Sequence, residues 1–189
     1  MCRTYEKYKS YKGTVGKIAP NILERNFTTE NPNQKWVTDI TEFKLFGEKL
    51  YLSPILDLFN GEIITYTIGS RATYSLVSEM SEKAFERLPE VHDLLIHSDQ
   101  GWHYQMKQYR HVLKEKGIVQ SMSRKGNCYD NSVMENFFGI MKSEFFYLKE
   151  FESIEHFKKE LENYIIHLER YIFDCRERTV PLGQSSYFY

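Results

Sequence analysis

Three β-forming runs separated by two glycine breaks constrain this chain more than any other feature. Trp36-Val37-Thr38-Asp39-Ile40-Thr41-Glu42-Phe43, Leu50–Leu58 and Glu62–Ile68 are rich in β-branched and aromatic residues, with Gly47 and Asn60-Gly61 between them. Asn-Gly between apolar runs is the strongest short hairpin signal, because a tight hairpin turn needs positive φ at its centre. The pattern predicts three antiparallel strands at about 35–45, 48–58 and 61–69. The period then changes. Leu76, Met80, Ala84, Phe85 and Leu88 recur at helical spacing ahead of Pro89, and Leu94-Leu95-Ile96 is a short apolar run ending at His97-Ser98-Asp99. A helix over about 103–116 closes at Gly117, and Ile118–Met122 makes a fifth strand. A stripe of Ile154, Phe157, Leu161, Ile165, Leu168 and Ile172 predicts a packing helix over about 153–173. The expected fold class is α/β: a mixed five-stranded sheet, three antiparallel strands followed by two parallel strands reached by helical crossovers, flanked by helices. Ligands of such sheets collect beyond the carboxyl ends of the parallel strands.

Composition excludes several classes. With 25 Lys+Arg against 26 Asp+Glu, the net charge of −1 does not announce a nucleic-acid binder, so such a role must rest on local patches. A hydrophobic fraction of 41% excludes a wholly disordered chain. No apolar run approaches the ~20 residues of a spanning helix, and the polar start is not a signal peptide, so no membrane association is expected. Cys2, Cys128 and Cys175 are too few and too scattered for a disulfide framework or a zinc pair, which favours a reducing cytoplasm. Residues 1–33 read as a basic arm, 34–150 as the core, and 151–189 as the packing helix with its tail. In the arm, Arg3, Lys7, Lys9, Lys12, Lys17 and Arg25 interleave with Tyr5, Tyr8 and Tyr11. That suits a contact along a nucleic-acid backbone, and it suits a solvated linker equally.

Two aspartates occupy positions where burial is costly: Asp39 within the first strand and Asp99 at the end of the fourth. Each needs a cation or donors. Taken alone, Asp99 reads better as a turn residue of Ser-Asp-Gln-Gly. In the helix after Cys128, a projection at 100° per residue gathers Asn131, Glu135, Gly139 and Lys142 into one polar sector. Val133, Met134, Phe137, Ile140, Met141 and Phe145 lie opposite. Glu135 alone reads as a solvated face. Together the three acids, two from strands and one from a helix, are an oxygen set for a hard divalent cation. Without metal they would repel one another and their pKa values would rise. Two Mg²⁺ ions ~3.5–4 Å apart suit phosphodiester hydrolysis or transfer. Asp57, Asp93 and Asp130 are rival ligands; Asp57 ranks lower because strand alternation sets it with Ile55 and Phe59. His97 reads as a polar neighbour that orients Asp99, and Trp36 and Trp102 as packing or lip residues. Arg124 and Lys125 offer phosphate contacts, and Gly126 allows close backbone approach.

The runs Trp36–Thr41, His97-Ser98-Asp99-Gln100-Gly101 and Ser123–Asn131, the last leading into Glu135-Asn136-Phe137-Phe138, resemble the catalytic core of bacterial insertion-sequence transposases with a retroviral-integrase-like core. The 35 residues between Asp99 and Glu135 match that family's spacing, and the resemblance covers about residues 1–165. It implies an RNase H-like fold, with Asp39, Asp99 and Glu135 holding two Mg²⁺ or Mn²⁺ ions. It also implies DNA cleavage and strand transfer, in which a DNA 3′-hydroxyl attacks a target phosphodiester without a covalent enzyme intermediate. The resemblance places Lys142 near the DNA end and the loop carrying Arg124, Lys125, Gly126, Asn127 and Asn131 beside the site. The implied partners are transposon-end DNA, target DNA and further copies of the chain, in the bacterial cytoplasm at the nucleoid. Two departures carry expectations of their own. No helix-turn-helix precedes the core in this sequence, so specific end recognition is expected to come from elsewhere. After about Tyr164 the sequence reads Ile166-His167-Leu168-Glu169-Arg170-Tyr171 instead of a Tyr-Asn-x-x-Arg-like segment, so a frameshifted tail and a poorly packed closing helix are expected. A catalytically dead DNA-binding remnant and a simple RNase H-like nuclease are the competing readings.

Overall fold

The computed structural model describes residues 16–177. The antiparallel part is built from two hairpins. Strand β2 (Thr41–Leu45) turns into β3 (Glu48–Asp57) through Phe46 and Gly47, both at positive φ (54° and 77°), the signature of a type I′ turn. Strand β3 reaches β4 (Ile63–Gly69) through Asn60-Gly61, where Gly61 sits at φ 71° and its N–H donates to the Asp57 carbonyl. Helix α1 (Tyr74–Phe85) then leads to β5 (Leu95–Ser98), and the next crossover to β6 (Val119–Met122). Strands β5 and β6 pair in parallel, as do β5 and β1 (Lys35–Thr38).

The expected first strand, 35–45, is interrupted. Its two halves, β1 and β2, pair with opposite ends of β3 in one continuous register: Thr38 faces Ile55 and Thr41 faces Leu52. Asp39 and Ile40 in the gap therefore lie opposite Pro54 and Ser53. Pro54 has no N–H to contribute to a ladder, and the Ile40 N–H donates instead to Oδ1 of Asp39 at 2.7 Å. The sheet thus has six strand segments in place of five, while the expected division into an antiparallel part and a parallel part holds.

The helix expected over 103–116 is also divided, into α2 (Trp102–Gln105) and α3 (Lys107–Glu115) about an extended Met106. Outside partners capture the carbonyls of the break: Gln120 Nε2 donates to Tyr104 O at 2.7 Å, and the Lys17 N–H to Gln105 O at 3.3 Å. On the other side of the sheet lie α4 (Ser132–Met141), continued by a π-helical turn over Lys142–Phe146, and α5 (Ile154–Glu177).

Strand alternation divides the core into two layers. Trp36, Ile55, Ile64 and Ile96 face α1, α2 and α3, with Val77, Met80, Tyr104 and Leu113. Val37, Phe43, Leu52 and Leu56 face α4 and α5, with Met134, Phe137, Met141, Phe157, Leu161 and Ile165. The closing helix is therefore well seated: Phe157 and Leu161 have no exposed surface, and the expectation of poor packing does not hold for the described part of it. The end of the tail lies outside the described residues, as does the arm before Gly16. From Gly16 on, the arm is packed on the core. Leu23 is buried, Met122 N–H donates to Pro20 O, and the Ile22 and Leu23 N–H groups donate to Ser121 Oγ.

Candidate active site

Parity along the strands sets the site. Val37 of β1 pairs with His97 of β5, and Thr38 with Ser98. Side chains alternate faces, so Asp39 and Asp99, two positions beyond Val37 and His97, share the face covered by α4. They follow the last residues of two adjacent parallel strands, whose backbones run about 5 Å apart. Asp99 Oδ1 accepts the Gly101 N–H at 2.7 Å. Asp39 Oδ1 accepts from Ile40, and Oδ2 accepts Nδ2 of Asn131 at 2.8 Å. Asp39 therefore lies just beyond β1, in the break rather than within a strand.

Helix α4 presents its apolar side to the sheet through Met134, Phe137, Phe138 and Met141, leaving Glu135, Asn136 and Gly139 exposed. Glu135 lies one turn beyond Asn131, and its charge reaches Asp39. Burial above all, then the charges of Asp99 and Glu135, push the Asp39 carboxyl up to about 8 against the opposing hydrogen bonds. Burial also raises Glu135. Among the described residues, no three His, Cys, Asp or Glu side chains stand close enough together to hold a metal ion as they are. Asp99 and Glu135 both repel Asp39, and the three acids are not a preformed chelate.

The remaining expected residues divide sharply. Lys142 is half-buried with Nζ 5.7 Å from the Phe43 ring centroid; burial lowers its pKa while the Glu42 and Asp39 charges oppose that shift. Lys125 is exposed, and Gly126 has φ 72° with open space where a Cβ would stand, so its glycine serves the turn rather than a close approach. The Asn127 N–H donates to Arg124 O. Asn131, expected to face DNA, is buried and engaged with Asp39. The Arg124 guanidinium is taken by Asp130, which has no exposed surface and accepts from Arg124 Nε and Nη2, both at 2.8 Å, and from the Arg124 N–H at 3.0 Å. Arg25 Nε and Asn21 Nδ2, each at 2.9 Å, complete the Asp130 shell.

His97 does not orient Asp99: its ring nitrogens lie 2.8 Å from Ser121 Oγ and 3.1 Å from Ser123 Oγ, and burial lowers its pKa to about 4. Asp57 stands at the opposite end of β1 from Asp39, stapling loop N–H groups of Asn33 and Phe59. Asp130, a rival metal ligand on the sequence, is instead the centre of an ion-pair knot that the sequence did not lead one to expect. It joins positions 105 and 109 apart in the chain, and nothing local in the sequence signals it.

A mixed sheet of this topology, flanked by helices on both faces, has the RNase H-like fold. The Integrase core domain family matches residues 29–128 and again 135–168. The chain is 54% identical over 161 residues to the putative transposase InsK for insertion sequence element IS150 of Escherichia coli K12, covering 85% of this chain and 56% of that protein. It is 53% identical to a transposase-like protein of Haemophilus influenzae, covering 87% of this chain and 75% of the relative. The catalytic domain of Mos1 mariner transposase shares the fold at a TM-score of 0.59 and 15% identity, covering 77% of this chain and 78% of that one. The chain belongs to the bacterial insertion-sequence transposases with an integrase core. It spans little more than half the length of the Escherichia coli relative.

Proposed function

We propose that this chain cuts and joins DNA strands, with Asp39, Asp99 and Glu135 holding two divalent cations, Mg²⁺ or Mn²⁺. The observation that carries the reading is the register of β1 on β5, which sets Asp39 beside Asp99 on the face that α4 covers with Glu135. The donor set fits hard cations: three carboxylates, one of them half-buried and pushed up to about 8 by its environment, are the groups a divalent charge would relieve. Bound there, the ions would supply activation of an attacking hydroxyl and stabilisation of the leaving oxygen at phosphorus.

The chain's own residues do the rest. Asp39 is held at both oxygens, by the Ile40 N–H and by Asn131, so its orientation is set before any ligand arrives. Asp99 is held at Oδ1 by Gly101. Lys142, half-buried under Phe43 and within reach of the Asp39 charge, is placed to neutralise a DNA phosphate at the rim. Lys125 and Asn127 on the Gly126 turn offer further phosphate contacts. Arg124 is committed to Asp130 and contributes by fixing the loop. The DNA partners are transposon-end and target strands, with a second copy of the chain serving the second end.

A strand-transfer assay on element-end DNA in Mg²⁺ or Mn²⁺, with Asp99→Asn as control, tests this. Transfer by the unaltered chain and none by the variant is expected. Transfer that persists in Asp99→Asn rejects the assignment. Cleavage of RNA–DNA hybrids without transfer points to a nuclease, and DNA binding without chemistry in either metal points to a remnant.

A further inference from the structure

Asn131 occupies the N-cap position of α4, where an asparagine normally accepts a backbone N–H from the first turn. Its side chain makes no such cap bond. Instead Nδ2 donates to Asp39 Oδ2 at 2.8 Å, and Oδ1, in a residue only 5% exposed, has no hydrogen-bond partner among the described residues. A carboxylate that ligates a cation is ionised and only accepts, so in the metal-bound site the amide turns its NH₂ towards Asp39, as it does here, and leaves the carbonyl oxygen as the free end. The two ends of an amide are ~2.3 Å apart, so Oδ1 lies no more than about 5 Å from Asp39 Oδ2. A buried, unpaired acceptor costs ~1–3 kcal/mol, which makes the withheld cap bond and the orphaned oxygen one problem with one solution.

We propose that Asn131 is a positioning residue of the metal site: its NH₂ orients Asp39, and its carbonyl oxygen accepts a hydrogen bond from water in the hydration shell of the divalent ion. Hard cations such as Mg²⁺ keep several waters when bound by carboxylates, and a neutral oxygen beside the acids takes such a water without adding repulsion. The peptide that carries Asn131 is immobilised by its neighbour Asp130, which Arg124, Arg25 and Asn21 hold from three directions. The amide is thereby presented to the site by a rigid support, the usual arrangement for groups that tune a metal's ligands from one layer out. The inference rests on the metal reading above, and it replaces the direct DNA contact expected for this residue.

The test is Mn²⁺ binding to the full chain, followed by electron paramagnetic resonance of the free ion, together with the metal-free melting temperature. Asn131→Ala is expected to weaken Mn²⁺ binding at least about tenfold, with little change in the metal-free melting temperature because the lost bond to Asp39 is offset by removal of the unpaired buried oxygen. Asn131→Asp keeps an oxygen but sets a second carboxylate against Asp39. It should melt lower without metal and show a larger Mn²⁺-induced rise than the unaltered chain. Asn131→Ala binding Mn²⁺ like the unaltered chain overturns the proposal, as does Asn131→Asp binding more weakly than Asn131→Ala. Failure of the underlying reading looks different: the unaltered chain and Asp99→Asn would then bind Mn²⁺ equally, or neither would bind it, and the role of Asn131 would fall with it.

Discussion

Replacing Asp130 by asparagine perturbs one buried charge and little volume. In the native arrangement Oδ2 accepts from Asn21 Nδ2 and from the N–H and Nε of Arg124, while Oδ1 accepts from Arg25 Nε and Arg124 Nη2. An amide can keep its oxygen at the first position and satisfy three donors, but its NH₂ then confronts the two guanidinium donors at the other. Losing two charge-assisted bonds would cost ~1.5–3 kcal/mol each. The Arg25 and Arg124 side chains are 44% and 58% exposed, so they can rehydrate, which discounts that sum. The expected loss is about 2–4 kcal/mol, or roughly 5–15 °C in melting temperature for a chain of this size. The loss also has a pH signature. Hydrogen bonds from Arg124, foremost among the causes, hold Asp130 well below the usual carboxylate range. A depressed folded pKa contributes stability that is present above the unfolded value near 3.9 and is lost as pH falls below it. Urea denaturation at pH 7 and at pH 3 should therefore give a large difference between the unaltered chain and Asp130→Asn at the first, and a smaller one at the second. A difference under about 0.5 kcal/mol at pH 7, or one that stays constant down to pH 3, would refute the buried-ion account.

Two further perturbations probe the site and the closing helix. Asp99→Asn removes the largest like charge acting on Asp39, whose raised folded pKa means that stability is lost as pH rises through about 8. The metal-free variant should therefore be more stable than the unaltered chain by roughly 1 kcal/mol at pH 8 and close to it at pH 5; equal melting temperatures at both values would show that the two acids do not interact. Phe157→Ala removes a fully buried ring that packs on Phe43 at 5.1 Å and on Phe151 at 4.8 Å between centroids. A cavity of that kind costs ~3–5 kcal/mol, and a loss under 1 kcal/mol in urea denaturation would mean that α5 does not support the core.

Much of the sheet was legible because periodicity and turn chemistry are local. Gly47, Asn60-Gly61 and the change from strand to helix spacing after Ile68 were enough to order the antiparallel and parallel parts. The break at Asp39 was legible in principle: Pro54, in the middle of an apolar run, marks a place where the neighbouring strand receives no N–H. The division of the second crossover was not, since it depends on Gln120 and Lys17 reaching carbonyls far away in sequence. Of the candidate site, the three acids could be nominated from residue type and from the family resemblance, while the commitment of Arg124 to Asp130 and of Asn131 to Asp39 could not. Side-chain hydrogen bonds, whether across the Arg124–Asp130 loop or between Asn131 and Asp39 far along the chain, leave no periodic trace.

Charge patterns in this chain mislead for the same reason. Arg25 and Arg124 count as basic surface in the sequence, yet both are spent on a carboxylate with no exposed surface. Lys142 is half-buried, its ammonium over the Phe43 ring and within the field of Glu42 and Asp39. The described residues thus bring fewer free cations to the Asp39 face than the sequence count suggests. Because Asp130 holds Arg25 of the arm and Arg124 of the loop while the adjacent Asn131 holds Asp39, moving the arm away from β6 would loosen the support of a proposed metal ligand. On this arrangement the segment from Asn21 to Arg25 belongs mechanically to the core, and deleting it should disturb Asp39 before it disturbs any contact with DNA.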